Sequence, residues 1–180
     1  MRSGQIIVTG ASRGIGEAIA AELDRRGFAV AGLSRSGVSV VGTGYACDMT
    51  DERAIADAIA KVAAEGPLIG LINNAGAHES KRSAELSLAD FETTMRLNAS
   101  AVMVACRESY PHLKAAGDAL IVNIGSFFDK LAVIDNLAYC ASKAAVGAIT
   151  RCLAAEWARD GIRVLDVAPG YIETVLNRDF

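Results

Sequence analysis

Tyr139 and Lys143 lie four residues apart at the start of a helical pattern, so their side chains share one helix face. A phenol beside an ammonium can exchange a proton with a substrate oxygen. Reducing a ketone needs an acid for the developing alkoxide, and oxidising an alcohol needs a base. A free tyrosine titrates near about 10, so a neighbouring positive charge is needed to favour phenolate at neutral pH. Two residues at this spacing recur by chance in many helices, and a third group gives them weight. Ser126 lies thirteen residues before Tyr139, just after the apolar run Ala119–Ile124. A hydroxyl there can hydrogen-bond a substrate oxygen and steady charge in the transition state.

A second constellation sits near the start of the chain. The apolar run Gln5–Thr9 leads into Thr9-Gly10-Ala11-Ser12-Arg13-Gly14-Ile15-Gly16, and a helical pattern follows at once. Gly10, Gly14 and Gly16 permit a tight turn and let backbone N–H groups approach a ligand without an intervening Cβ. The positive end of the helix then suits a pyrophosphate, with Ser12, Arg13 and Ile15 in the same loop. A ligand-free strand–helix turn is the plainer reading; the turn's place after the first strand of an alternating chain weighs against it. The second apolar run, Ala29–Leu33, ends in Ser34-Arg35-Ser36 rather than in the acid that reads ribose hydroxyls in NAD sites. Arg13 and Arg35 carry the fork of donors that matches a 2′-phosphate. The alternative is a pair of solvated surface arginines.

These groups need a scaffold that brings distant segments to one edge. Strands are predicted at Gln5–Thr9, Ala29–Leu33, Leu68–Asn73, Ala119–Ile124 and Arg163–Val167, with a weak one at Gly44–Cys47. Helices are predicted at Gly14–Arg26, Asp51–Glu65, Leu88–Ala116 and Tyr139–Asp160. Ser87 with Asp90 reads as a capping box, and Gly66-Pro67 as a helix stop. Such alternation implies an α/β fold: a doubly wound parallel sheet (a Rossmann fold) in three layers, α/β/α. Its ligand crevice belongs at the strand C-terminal ends, at the switch between strands one and four.

The spacing Gly-x-x-x-Gly-x-Gly, followed by Asn73-Asn74-Ala75-Gly76 and by Ser126, Tyr139 and Lys143, resembles the short-chain dehydrogenase/reductase superfamily. The segment Pro169–Thr174 is similar to that of 3-oxoacyl-carrier-protein reductases. The resemblance places the family's Asn, Ser, Tyr and Lys tetrad on Asn98, Ser126, Tyr139 and Lys143. It implies hydride transfer between nicotinamide and a carbonyl or secondary alcohol, with Tyr139 exchanging the proton. Ser126 would orient the oxygen, and Lys143 would bind the nicotinamide ribose and lower the Tyr139 pKa. Asn98 would support a relay through water. Bases at Arg13 and Arg35 imply NADP(H) rather than NAD(H). Asp48 would contact adenine with Met49 packing nearby, although a simple turn explains Asp48 as well. Asn74, Ala75 and Gly76 would lie against ribose and nicotinamide; adjacent asparagines can also merely satisfy neighbouring backbone groups. Pro169 and Gly170 would form a turn that brings Ile172 and Thr174 to the carboxamide. Members of the family usually continue into lid helices and a seventh strand. Residues 1–180 are therefore expected to be a single NADP(H)-binding domain without that lid and last strand, leaving Arg163–Val167 as a sheet edge. A shortened chain, a short enzyme covered by a partner and a decayed relative all fit, and the complete tetrad argues against decay.

Composition narrows the remaining classes. At 180 residues with 52% hydrophobic and 22% charged side chains, the chain suits one folded domain. A net charge of −3 without a basic stripe argues against nucleic acid, and no run spans a bilayer, so no membrane association and a cytoplasmic location are expected. Cys47, Cys106, Cys140 and Cys152 lack metal-site spacing and read as buried or half-buried thiols; with only His78 and His112, no metal is expected. His78 itself reads as an exposed loop residue. Segments Ala77–Ser80 and Phe127–Lys130 are expected to line a pocket for a small-molecule carbonyl or alcohol. A homodimer or homotetramer through the two long helices is expected, with Ala144, Ala145, Gly147 and Ala148 permitting close packing. Two other readings stay open: an NADP(H)-binding redox sensor or scaffold without turnover, and an NAD-linked dehydrogenase of the same fold.

Overall fold

The computed structural model describes residues 4–172. Six parallel strands run in the order β3-β2-β1-β4-β5-β6: β1 Gln5–Thr9, β2 Ala29–Ser34, β3 Thr43–Ala46, β4 Leu68–Asn73, β5 Ala119–Ile124 and β6 Ile162–Val167. The order reverses between β1 and β4, as the sequence predicts, and this opens a crevice at their C-terminal ends. Short apolar runs rich in β-branched residues form these strands because parallel strands are buried on both faces. Ile7, Leu33, Leu71 and Ile121 are fully buried.

The two faces are covered unequally. Ile7, Leu33, Leu71 and Ile121 pack with Ile55, Val62, Val104, Leu113 and Val146 from three helices, α2 Glu52–Glu65, α4 Ala101–Ala116 and α5 Leu137–Trp157. The other face meets α1 Gly14–Arg25, whose Ile19, Ala20 and Leu23 pack on Ile6, Val8, Val30 and Ile72. Among the described residues β6 is an outer strand, with Leu165 and Val167 exposed. No described helix is long and apolar enough to cross a membrane.

Most elements agree with the sequence reading to within a residue or two at their ends, and the differences that bear on the site are these. The predicted helix Leu88–Ala116 is broken into α3 Leu88–Met95, a π-turn at Arg96–Ser100, and α4. The π-turn inserts one residue into the ladder without altering the apolar spacing on either side, which is why periodicity misses it. α5 starts at Leu137 rather than Tyr139, after an Asn136 that makes no side-chain cap, so no capping signal marks the start. β3 begins one residue earlier than predicted. The Ser87–Asp90 capping box is present at α3. Cys47 and Cys106 are buried and Cys140 is half-buried, but Cys152 is exposed, contrary to expectation. Of the four small residues on α5, Ala144 and Ala148 face outward, whereas Gly147 is buried and faces inward.

Candidate active site

The glycine turn combines left-handed backbone with bare donors. Gly10 and Gly14 take φ of 68° and 60°, where other residues are strained. A Cβ at Gly16 would stand 2.3 Å from the Gly10 carbonyl oxygen and 2.4 Å from Asn74 Nδ2. Arg13 precedes α1 without a side-chain cap, whereas Asp51 caps α2 and Ser87 caps α3. The first-turn N–H groups at Gly14, Ile15 and Gly16 thus lack a capping acceptor, and the positive end of α1 is open to an anion. Asn74 stitches the turn to the end of β4: its Nδ2 donates to the carbonyls of Thr9 at 3.0 Å and Gly10 at 3.3 Å. Thr9 Oγ1 accepts from the N–H groups of Asn74 and Ala75 at 3.0 Å each. Gly76 follows against Asn98, whose Oδ1 would lie 3.2 Å from an added Cβ.

Around this turn, Arg13 and Arg35 are exposed and Ser12 is half-buried. Ser34 is buried and donates from its hydroxyl to the Val38 carbonyl at 2.9 Å. Met49 is buried, while Asp48 is exposed and accepts from the backbone N–H and the hydroxyl of Thr50, both at 2.8 Å. Those bonds, aided by the Arg35 charge, hold the Asp48 carboxyl below its usual range. These bonds account for Asp48 as a turn residue and leave its other carboxyl oxygen without a hydrogen-bond partner among the described residues.

Beyond the ends of β4 and β5 the polar groups are buried and paired. Asn98 sits in the π-turn at 1% exposure. Its Oδ1 accepts from the Ala77 N–H and its Nδ2 donates to the Ala77 carbonyl, each at 2.9 Å. The same Nδ2 reaches Ser142 Oγ at 3.1 Å, and Ser142 donates to the Tyr139 carbonyl at 2.7 Å. Asn98 thus ties the 75–78 segment to the start of α5. Beneath it, Asn73 Nδ2 donates to Asn123 Oδ1, and Asn123 Nδ2 to Thr150 Oγ1, both at 2.8 Å. Ser126 is buried at the mouth of β5, accepts from the Phe128 N–H at 3.2 Å and lies close enough to Tyr139 to favour its phenolate.

Lys143 is 6% exposed and donates to the Ile124 carbonyl at 2.7 Å; its Nζ lies 5.6 Å from the Tyr139 ring centre. Burial drives its pKa from the ordinary 10.5 down to about 8, against the opposing pull of Asp166. Burial likewise raises Tyr139, with the Ser126 hydroxyl opposing. The expected lowering of Tyr139 is not produced by the protein's own groups, because desolvation of the phenolate outweighs that hydroxyl.

The Pro-Gly segment runs beside this cluster. The Pro169 carbonyl accepts from the Phe127 N–H at 3.3 Å, and the Tyr171 ring lies 5.1 Å from that of Phe127. Gly170 and Ile172 are exposed, and Thr174 lies outside the described residues. Sequence reasoning did not single out Tyr171, Asn136 or Asp166. Asp166, on β6, fills the space that Gly125 leaves: a Cβ there would stand 2.3 Å from its Oδ1. Its Oδ2 and that of Asp129 each lie 3.6 Å from where a Gly147 Cβ would be. Burial and the Asp129 charge raise the Asp166 pKa. His78, read from sequence as a simple loop residue, is exposed but hydrogen-bonds Asn136 Oδ1 through Nε2. Its ring stands edge-on to Tyr139, 4.7 Å between centres. The only sequence hint to that pairing was the position of His78 just after Gly76, since Asn136 is 58 residues away.

Known proteins resemble this chain along most of its length. D-threitol dehydrogenase from Mycolicibacterium smegmatis is 34% identical over 184 residues, covering 95% of this chain and 71% of that protein. The ligand-free structure of Thermoplasma acidophilum aldohexose dehydrogenase superposes with a TM-score of 0.92 at 30% identity, covering 97% of this chain and 69% of the other. A putative NAD(P)-dependent gluconate 5-dehydrogenase from Beutenbergia cavernae, solved with NADP bound at low occupancy, gives 0.88 at 32% identity, over 97% and 75% of the two chains. The family model of the short chain dehydrogenases matches residues 5–180. The chain belongs to the short-chain dehydrogenase/reductase superfamily of oxidoreductases.

Proposed function

We propose that the protein transfers a hydride between NADP(H) and a carbonyl or secondary alcohol, with Tyr139 exchanging the proton at the substrate oxygen. The observation that carries this reading is the meeting of Ser126, Tyr139 and Lys143 beside an uncapped, glycine-built helix start. The residues fit a dinucleotide: α1 offers unpaired donors to a pyrophosphate, and the Gly10 and Gly14 backbone lets it approach. Residues 10–16, 34–35, 48–49, 74–76 and the 169–174 segment would hold it, making the domain one cofactor-binding unit. When bound, the cofactor supplies or accepts the hydride. Tyr139 gives or takes the proton and Ser126 holds the substrate oxygen, while Lys143 would hold the ribose and, together with the cofactor's positive nicotinamide, oppose the burial that raises Tyr139. Asn98 keeps the 75–78 segment and α5 in register, so that a water relay to Lys143 has fixed walls.

Arg13 and Arg35 support NADP(H), and the NADP-bound relative supports it too. The outward Ala144 and Ala148 support association with a second copy across α4 and α5, which sedimentation would detect. The relatives reported above are named for hydroxylated substrates, which directs the first panel toward polyols and sugar acids. Tyr139→Phe tests the central claim. Turnover is expected to fall by about 10³-fold or more while NADPH affinity stays within about threefold. Turnover surviving in Tyr139→Phe would remove the phenol from the mechanism.

A further inference from the structure

The mouth of the site holds a histidine that the mechanism above does not use. His78 lies two residues after Gly76, and its segment is zipped to the turn before α5. The Lys81 N–H donates to the Asp135 carbonyl at 2.7 Å, and Ser80 Oγ reaches Asn136 Oδ1 at 3.5 Å. Asp135 takes a left-handed φ of 63°, which a non-glycine residue adopts only at a cost. The buried Asn136 donates from Nδ2 to the Ile134 carbonyl at 2.7 Å, so its Oδ1 is the atom that meets His78. An acceptor facing Nε2 requires the neutral ring to carry its hydrogen there. Nδ1 is then an acceptor, and it has no partner among the described residues. The ring stands against both Tyr139, at 4.7 Å, and Phe128, at 6.2 Å between centres.

Building on the oxidoreductase reading, we infer that His78 is a specificity-determining residue: its Nδ1 accepts a hydrogen bond from a hydroxyl on the carbon next to the reacting one. The substrates are accordingly vicinal diols and polyols, or the corresponding hydroxy-ketones, rather than lone secondary alcohols. The chemistry follows from what the ring offers. A fixed acceptor beside the phenol matches a second substrate hydroxyl, which donates, and gains nothing from a hydrocarbon neighbour.

The test uses vicinal diols of butane and cyclohexane, each paired with the alcohol that lacks the second hydroxyl, with NADP+ and NAD+. The wild type is expected to prefer the diol of each pair by roughly tenfold or more in kcat/KM. His78→Gln retains a side-chain amide able to reach Asn136 but offers nothing at Nδ1, and should lose that preference while holding the lone alcohols within about threefold. His78→Asn places an oxygen near Nδ1 and should retain much of it. The reverse pattern, with His78→Gln normal and His78→Asn impaired, would mean that the histidine merely braces the loop. A wild type that favours lone alcohols, or variants that leave the preference unchanged, overturns the inference alone. Absence of turnover with every pair and both cofactors counts against the oxidoreductase reading, and the inference falls with it.

Discussion

At the glycine turn the chain leaves the first N–H groups of α1 without a capping acceptor and uses left-handed glycines to do so. At the start of α5 nearly every polar group is buried and answered. Asn98 holds Ala77 and Ser142, Ser126 meets Tyr139, and Lys143 meets the Ile124 carbonyl. An anion can satisfy open backbone donors by arriving, so that end gains little by filling them beforehand. A proton-transfer site must instead hold its groups in place before the substrate arrives, and buried side chains do so only when paired. The first end is built around an unmet demand, and the second around prior satisfaction.

The largest expected effect tests the first end. Gly16→Val would drive side-chain carbons into the Gly10 carbonyl and Asn74, costing about 3 kcal/mol of stability and nearly all NADPH affinity. Denaturant unfolding and a fluorescence titration would check both, and a stable Gly16→Val that binds NADPH would contradict the turn geometry. At the second end, Asn98→Ala removes three hydrogen bonds and leaves the buried Ser142 with only its bond to the Tyr139 carbonyl. A loss of about 2–3 kcal/mol is expected, with turnover falling too. If unfolding midpoints of Asn98→Ala matched the wild type, prior pairing would not be what holds that end together.

Lys143→Met should act in the opposite direction. Below pH 8 the buried ammonium carries a folding cost, because its folded-state pKa is about 8 against an ordinary 10.5. That cost is on the order of 3 kcal/mol, offset by about 1 kcal/mol from the bond to Ile124. As pH rises from 8 to 10.5 the folded form loses its proton before the unfolded form does, so wild-type stability gains and the cost disappears. The Met variant without cofactor should therefore be about 2 kcal/mol more stable at pH 7, with the difference shrinking toward pH 10.5, and be inactive throughout. Thermal melts across that range would show the convergence; a constant difference would dissociate it from the lysine's charge. The smallest effect is at the exposed rim of the first end. Arg35→Ala should weaken NADPH by about tenfold, leave NADH unaffected and leave stability unchanged. Equal loss for both cofactors, or for neither, would exclude Arg35 from reading the 2′-phosphate.

The contrast also explains what was legible in the sequence. The glycine turn is a local device, so Gly10, Gly14 and Gly16 announce it within eight residues, and the strands around it are short apolar runs with clear ends. The order of β1 and β4 followed from the alternation itself. The second end is assembled from segments far apart in the chain. Asn98 looked like a mid-helix polar residue because a π-turn leaves no mark on spacing. Tyr139 and Lys143 were legible as an i,i+4 pair, but burial, which raises one pKa and lowers the other, is a property of packing alone. Asp166 sits on a strand face that alternation assigns no role, and only the missing side chains of Gly125 and Gly147 show why it fits.

The π-turn has a consequence for how this scaffold can vary. Each residue of an α-helix advances the chain by about 100°, so removing one residue from Arg96–Ser100 would rotate α3 against α4 by that angle. The extra residue works as a phase adjuster. It lets α4 keep Val102, Ala105 and Cys106 toward the core while α3 presents its own surface on an independent clock. Drift in the sequence of α3 is thereby insulated from the packing behind the site, whereas a one-residue deletion at Arg96–Ser100 would couple the two at once.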